Sequence, residues 1–138
     1  MRIRRMGRAW VVRLDPGEPV AGSLRAAAAR EGIGAAEVHA IGALAWAEVG
    51  AYLLKPKRYV RKRFRGPLEL LSLSGTLTRL RGEPFLHLHA TVSDLRMRAF
   101  GGHFFEAEAE PSCEAVLRPL AGDLSRAFPA GIGLNLLD

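Results

Sequence analysis

The sequence contains a single cysteine, Cys113, among its 138 residues. One thiol cannot form a disulfide within the chain, and it cannot supply the several cysteine ligands of a zinc-finger site. The sequence also lacks any run of about 18 apolar residues, the length that a membrane-spanning helix requires. The apolar stretch 9–12 ends at Arg13, so it is too short for a signal peptide. These absences predict a cytoplasmic protein with no membrane partner.

The composition is typical of a folded domain with a hydrophobic core. Hydrophobic residues make up 49% of the sequence and charged residues 25%, which excludes the disordered and collagen-like classes. A chain of 138 residues has the length of one domain. We therefore expect one domain over residues 9–138, preceded by a flexible basic arm over residues 1–8.

The net charge of +6 is concentrated in two segments. Residues 2–8 contain four arginines and no acid, and residues 55–65, the basic segment, contain seven bases and no acid. The remaining nine bases and fourteen acids give the rest of the chain a charge of −5. The basic segment suits a polyanion, with Tyr59 and Phe64 available to stack on bases, but it also suits a solvated edge strand. Its candidate nucleic-acid contacts are Lys55, Lys57, Arg58, Arg61, Lys62, Arg63 and Arg65.

The spacing of apolar residues predicts one helix and a series of strands. Residues 19–30 are rich in alanine and have apolar side chains at helical spacing, and Gly32 is placed to end the helix. One helix before many consecutive antiparallel strands predicts an α+β fold with a large sheet. The predicted strands are 10–14, 36–44, 46–54, 59–64, 68–80, 85–92 and 99–109, with weaker candidates at 116–117 and 134–137.

Three of the four histidines fall in two neighbouring predicted strands. His87 and His89 are two residues apart, so their side chains point to the same face, and His103 lies on the next strand. This arrangement suits a divalent metal with one coordination position left for water or a ligand. The preceding Gly101 and Gly102 leave the face unobstructed and suit a bulge that aims His103. Hydrogen-bonded, half-buried histidines would have the same spacing, so the spacing alone leaves both interpretations open.

The other candidates for chemistry carry weaker signals. His39 stands apart and is interpreted as a strand histidine with ordinary hydrogen bonds. Cys113 has no base beside it and is predicted to fill the core. Glu69 is a candidate general base if a metal at the histidines activates water. The sequence contains no GxSxG motif, Walker A loop or dinucleotide fingerprint, so catalytic residues remain unassigned.

Several stretches together resemble the plants-and-prokaryotes-conserved (PPC) domain, which in plants accompanies AT-hook DNA-binding motifs. Their order and spacing agree with the family over about residues 9–120. The stretches are IGAL at 41–44, GPLELLSLSG at 66–75, PFLHLHA at 84–90 and FGGH at 100–103. Beyond this range, GLNLL at 133–137 resembles the ending of prokaryotic members.

The resemblance implies a mostly antiparallel α+β domain that assembles as a homotrimer. Prokaryotic members are stand-alone proteins, often described as DNA-binding, and His87, His89 and His103 match histidines that are associated with a divalent metal. Zinc is the metal that we expect. The chain departs from the family in two places: the sequence at 65–67 is not an AT hook, and the turn at 94–97 lacks the usual glycine.

The sequence as a whole favours a homotrimeric binding or regulatory protein with DNA as a partner and a three-histidine metal site. Two other functions stay open at this point. One is a metal-dependent enzyme that acts on a small molecule bound at the metal. The other is a protein–protein interaction module, in which residues 66–71 form the docking surface, as the resemblance to plant members suggests.

Overall fold

A computed structural model describes residues 1–122 and 124–138 of the chain. These residues form eight β-strands and one α-helix, which confirms the predicted α+β class. None of the described helical structure has the length and apolar character needed to cross a bilayer. The elements are β1 (Arg2–Met6), β2 (Ala9–Leu14), α1 (Val20–Arg30), β3 (Ala36–Leu53), β4 (Arg58–Leu80), β5 (Glu83–Ser93), β6 (Ala99–Pro119), β7 (Arg126–Ala127) and β8 (Leu136–Leu137).

Six strands form one antiparallel sheet in the order β1-β2-β6-β3-β4-β5, and β5 also pairs with β6. The ring β6-β3-β4-β5 therefore closes on itself. Two strands pair with the same edge of β6: residues 99–103 of β6 pair with β5, and residues 113–117 pair with β2. This closure brings β5 beside the start of β6, which is where the sequence has its three clustered histidines.

The long strands merge pairs of strands that the sequence analysis separated. Segments 36–44 and 46–54 belong to the single strand β3, and segments 59–64 and 68–80 belong to β4. Gly42 lies inside β3 and allows the backbone of β6 to approach closely. A Cβ atom at Gly42 would lie 2.6 Å from Cα of Cys113. The register of the β3–β4 ladder shifts between Ala40 and Gly42 and again between Leu44 and Trp46.

Residues 1–8 form half of a hairpin rather than the expected flexible arm. Strand β1 pairs with β2 from Arg2 opposite Arg13 to Met6 opposite Ala9. The Met1 amino group lies within ion-pair distance of two carboxylates, those of Asp15 and Glu18. Three of the four arginines of this segment, Arg2, Arg4 and Arg5, are therefore held on a strand at one edge of the sheet, and Arg8 lies in the turn that follows.

Helix α1 packs its apolar face on the sheet and ends at the predicted glycine. Val20, Leu24 and Ala27 are fully buried. Gly32 has a φ of +65°, and the amide of Ile33 donates to the carbonyl of Ala28 at 2.9 Å. The amide of Gly32 donates to the carbonyl of Ala29 at 3.3 Å, and these two hydrogen bonds together form a Schellman motif.

A distant side chain caps the other end of α1. The N-cap residue, Pro19, provides no side-chain hydrogen bond. Instead, the Glu106 carboxylate on β6 accepts the amides of Ala21 at 2.6 Å and Gly22 at 3.0 Å. A carboxylate satisfies free amides at a helix start and interacts favourably with the helix dipole, so this contact links α1 to β6.

The core lies between α1 and the sheet. Cys113 is fully buried there, and burial raises the pKa of its thiol to about 11, which confirms its predicted role as core filler. Along β5, Leu88 and Ala90 are buried while His87 and His89 are exposed. Because side chains alternate along a strand, the histidines lie on the sheet face opposite the core.

Candidate metal centre

The three histidines come together across the pairing of β5 with β6. His89 lies directly opposite His103 in this ladder, and His87 is two residues earlier on β5. The predicted pairing of the two strands and the shared face of the histidines are therefore confirmed. His87, His89 and His103, which we call the histidine cluster, are brought together only because the sheet closes.

The imidazole rings of the histidine cluster form a nearly equilateral triangle. Ring centroids are 5.4 Å apart for His87 with His89, 5.4 Å for His87 with His103 and 5.5 Å for His89 with His103. One ring nitrogen from each residue lies within 4.8 Å of the other two. The cluster can thus present three nitrogen donors to one divalent ion, with no protein ligand in a fourth position among the described residues.

The surroundings of the histidine cluster keep two of its imidazoles neutral. Burial, together with the nearby charges of His87, His89 and Arg61, lowers the pKa of His103 to about 4. His87 is exposed as a residue, but partial desolvation of its ring lowers its pKa, together with the charges of Arg126 and His89. A neutral imidazole has a lone pair available for a metal, whereas a protonated one does not.

Aromatic rings form a wall around His103. The Tyr59 ring centroid lies 4.7 Å from that of His103, and the Phe105 centroid lies 4.9 Å from it. Burial raises the pKa of Tyr59. The sequence analysis considered Tyr59 and Phe64 as base-stacking residues, but Tyr59 packs on His103 and Phe64 packs on Phe100 at 4.0 Å. Strand alternation places Tyr59 and Arg61 on one face, yet only the fold reveals which rings they meet.

Glycines allow the histidine strands to pass close to their neighbours. A Cβ atom at Gly75 would lie 2.0 Å from the carbonyl oxygen of His87, and one at Gly101 would lie 2.1 Å from that of Ala90. The expected bulge at Gly101 is wrong, because the β5–β6 ladder stays in register over residues 99–103. The nearest irregularity in β6 falls at Phe105, in the ladder with β3.

A cavity of 180 Å³ adjoins the histidine cluster. Its walls are Tyr59, Phe85, His87, His103 and residues 133–136. No local sequence pattern predicts this cavity, since residues 124–138, the C-terminal segment, carry only weak strand signals. Their approach to the histidines depends on tertiary hydrogen bonds that no local pattern encodes.

The C-terminal segment is tied down at three points beside the cavity. The Tyr52 hydroxyl donates to the Ile132 carbonyl at 2.7 Å, and the Lys57 ammonium donates to the Ala130 carbonyl at 2.6 Å. The third point is Arg126, a residue of the segment itself, which donates to the Asn135 carbonyl within the segment at 2.9 Å. Its guanidinium also donates to the hydroxyls of Thr76 and Thr78 and lies over the Phe85 ring.

The basic segment does not present its charges on one surface. Arg61 and Arg63 lie within ion-pair distance of Glu48, at 3.5 Å and 3.2 Å. They cover the rings of Phe105 and Trp46, on the face of the histidine cluster. Within residues 1–122 and 124–138, the other bases of the segment have no carboxylate within 4.0 Å. These bases are Lys55, Lys57, Arg58, Lys62 and Arg65.

The structure does not bring Glu69 or His39 to the histidine cluster. Glu69 lies opposite Ser93, four residues from His89 along β5 and hence about 13 Å away. His39 is on β3, where its side chain lies 2.8 Å from a carboxylate oxygen of Glu37. His39 is therefore the strand histidine that the sequence predicted.

The turn between β5 and β6 closes without the glycine that the family pattern usually has. Met97 has a φ of +61°, a left-handed conformation that glycine adopts at lower cost. The Asp94 carboxylate accepts the backbone amides of Arg96 and Arg98 and pairs with the Arg98 guanidinium. These hydrogen bonds stabilise the turn. Burial of the Met97 side chain does not stabilise it, because that side chain is exposed.

Solved structures with the same fold extend over nearly the whole chain. A candidate DNA-binding protein from Bacteroides thetaiotaomicron has 26% identity and a TM-score of 0.95, and the match covers 99% of this chain and 96% of that one. A metal-containing protein from Archaeoglobus fulgidus has 37% identity and a TM-score of 0.87, with 96% and 94% covered. A plant- and prokaryote-conserved (PPC) protein from Pyrococcus horikoshii has 28% identity and a TM-score of 0.88, with 99% and 94% covered.

A comparison with proteins of curated function finds no match. The family model of the Plants and Prokaryotes Conserved (PCC) domain, the PPC domain of the sequence analysis, matches residues 1–121. This match includes β1 and both strands of the histidine cluster. The chain therefore belongs to the Plants and Prokaryotes Conserved domain family.

Proposed function

We propose that the protein is a homotrimeric, DNA-associated binding protein that holds a zinc ion at His87, His89 and His103. The observation that carries the metal proposal is the convergence of three imidazole nitrogens within 4.8 Å of one another. The metal-containing relative from Archaeoglobus fulgidus supports it. When bound, the ion would supply Lewis acidity and positive charge at the open side of the cluster.

The donor set fits a borderline divalent ion. Imidazole nitrogen suits zinc, copper, nickel and iron, whereas calcium and magnesium prefer oxygen ligands. Three protein ligands with a fourth position open to solvent is the arrangement of an accessible zinc site rather than a closed structural one. Among these metals we propose zinc, because it accepts tetrahedral coordination without a redox partner.

Elemental analysis of the purified chain, combined with zinc titration against a chromogenic chelator, tests this site. We expect one zinc ion per chain in the wild type and almost none in His87→Ala. His39→Ala is the matched control, because His39 is an exposed strand histidine that lies outside the cluster. Equal zinc content in His87→Ala and His39→Ala would refute the assignment.

The DNA proposal rests on the basic segment and on relatives described as candidate DNA-binding proteins. Bases without a carboxylate partner contribute most to phosphate binding, because their charge is not already compensated. The contact residues that we propose are Lys55, Lys57, Arg58, Arg61, Lys62, Arg63 and Arg65. We expect the binding to be largely independent of DNA sequence and to weaken steeply with salt.

Two double variants with the same change in charge test the DNA proposal. Arg58→Gln with Lys62→Gln removes two bases that have no carboxylate partner among the described residues, and Arg61→Gln with Arg63→Gln removes two that already contact Glu48. Fluorescence anisotropy with a labelled duplex at low salt should show the larger loss of affinity for the first pair. The absence of any duplex binding at low salt would exclude the proposal.

Exposed apolar side chains on the sheet support the proposed trimer. Ile41 on β3 is 59% exposed and Leu71 on β4 is 50% exposed, and both lie where the β3–β4 ladder is irregular. Exposed apolar side chains that cluster on a surface favour association with another surface. Three copies would also multiply weak contacts with one DNA duplex. Light scattering should give the mass of three chains, and Leu71→Glu should give monomers; a wild-type monomer would refute the trimer.

A further inference from the structure

The cavity beside the histidine cluster has walls from separate parts of the fold. His87 and His103 form one side of it, and Tyr59 and Phe85 form another. The C-terminal segment closes it with residues 133–136 and is held there by the hydrogen bonds from Tyr52 and Lys57 to its carbonyl groups and from its own Arg126 to β4. Both the histidines and a separate wall are thus fixed before any ligand enters.

The size and the walls of the cavity suit one ring or a branched apolar group. Its volume is 180 Å³, and an apolar protein cavity of about 150 Å³ takes up benzene. Tyr59 and Phe85 provide aromatic surface, and Leu134 and Leu136 provide aliphatic surface. Asn135 is the one amide side chain among the described lining residues.

The charges around the cavity favour an anion. The histidine cluster contains no carboxylate among the described residues, so the charge of a divalent ion would stay uncompensated by its protein ligands. Arg126 lies behind Phe85, with its guanidinium carbon 4.8 Å from the ring centroid. In the described part of the chain, no carboxylate lies within 4.0 Å of Arg126, whose polar partners are two threonine hydroxyls and a carbonyl.

We propose that this cavity binds a small monocarboxylate with a ring-sized apolar body. The carboxylate faces the metal at the histidine cluster, and the apolar body lies between Tyr59, Phe85 and the C-terminal segment. This inference rests on the proposed metal site and adds the class of ligand that completes it. Polar molecules of similar size lack the apolar body, and neutral aromatic molecules lack the charge.

Cobalt(II) absorption spectroscopy of the full chain tests the proposal, because the visible spectrum of cobalt(II) responds to a change of ligand. The probes are benzoate, acetate, which has the head group alone, and benzamide, which has the ring without the charge. We expect benzoate to change the spectrum with an affinity roughly tenfold or more above that of acetate, since only benzoate buries a ring. Benzamide should leave the spectrum unchanged at the same concentrations.

A variant that fills the cavity separates the role of its wall from that of the metal. Leu134→Trp should abolish the preference for benzoate while cobalt content and the response to acetate stay the same. Phe128→Trp is the matched control, because Phe128 is an exposed residue of the same segment that does not line the cavity. Isothermal titration calorimetry with benzoate should give wild-type affinity for this control.

The outcomes distinguish the two proposals. A chain that takes up no cobalt overturns the metal site and this inference together. A chain that takes up cobalt overturns this inference alone if it prefers acetate, binds benzamide as tightly as benzoate, or keeps its benzoate affinity in Leu134→Trp.

Discussion

Replacing Gly101 with alanine should disrupt the histidine cluster without touching a histidine. The added Cβ atom would lie 2.1 Å from the carbonyl oxygen of Ala90, 3.1 Å from its carbonyl carbon and 3.2 Å from Cα of Thr91. All three atoms belong to the backbone of β5, so no side chain can rotate to make room. The two strands must move apart.

The size of that movement follows from the distances. Ordinary contact for a Cβ atom begins at 3.4 Å, so the oxygen must retreat by 3.4 − 2.1 = 1.3 Å. His89 precedes Ala90 on the displaced strand, whereas His103 stays on β6. Metal–ligand distances tolerate deviations of about 0.2 Å. We therefore expect the zinc affinity of Gly101→Ala to fall roughly 100-fold, the upper range for changes that misalign a metal ligand.

Competition with a chromogenic chelator measures the loss, and circular dichroism verifies that each variant is folded. Gly131→Ala is the matched control, because a Cβ atom there has nothing within 4 Å. Wild-type zinc affinity in a folded Gly101→Ala chain would refute the reasoning, as would an equal loss in Gly131→Ala.

Three further predictions concern stability and reactivity. Glu106→Ala leaves two helix amides without their acceptor and should lower the free energy of unfolding by about 1.5 kcal/mol and the Tm by about 5 °C, whereas Glu110→Ala, an exposed control on β6, should not. Met97→Gly relieves the left-handed backbone and should raise stability by about 0.5 to 1 kcal/mol in urea titrations; a loss as large as that of Leu95→Gly would contradict this. Cys113, whose thiol pKa is raised to about 11, should resist a disulfide reagent at pH 8 until urea unfolds the chain, and rapid labelling of the native protein would count against its burial.

Prediction from the sequence succeeded where the conformation of a segment depends mainly on its neighbouring residues. Helical spacing and a terminal glycine located α1, because burial of one face and the conformation of Gly32 depend on neighbouring residues only. The HxH spacing placed His87 and His89 on one face, because side chains alternate along any strand. The predicted pairing of neighbouring strands connected His103 to them, and resemblance to a family then supported that connection.

Local patterns were misleading where a glycine or a run of charged residues is compatible with two different structures. The glycine-containing segment 36–54 was predicted to form two strands, but it forms β3 alone, and Gly42 permits a close crossing of β3 with the Cys113 backbone. The arginines of residues 2–8 resembled a free arm, but the segment pairs along β2. In both cases the deciding partner lies far away in the sequence, so no window of neighbouring residues reveals it.

The single cysteine argued against a disulfide within the chain, and the short apolar runs argued against a membrane-spanning helix. The histidine spacing indicated which residues can hold a metal. Only the tertiary structure decided how these residues meet, because the closure of β5 onto β6 sets His89 opposite His103. It also decided that Tyr59 faces His103 and that the C-terminal segment closes a cavity beside the histidines. The physical reason is that such contacts depend on pairing between strands far apart in the chain, whose energy is gained only when the whole sheet forms.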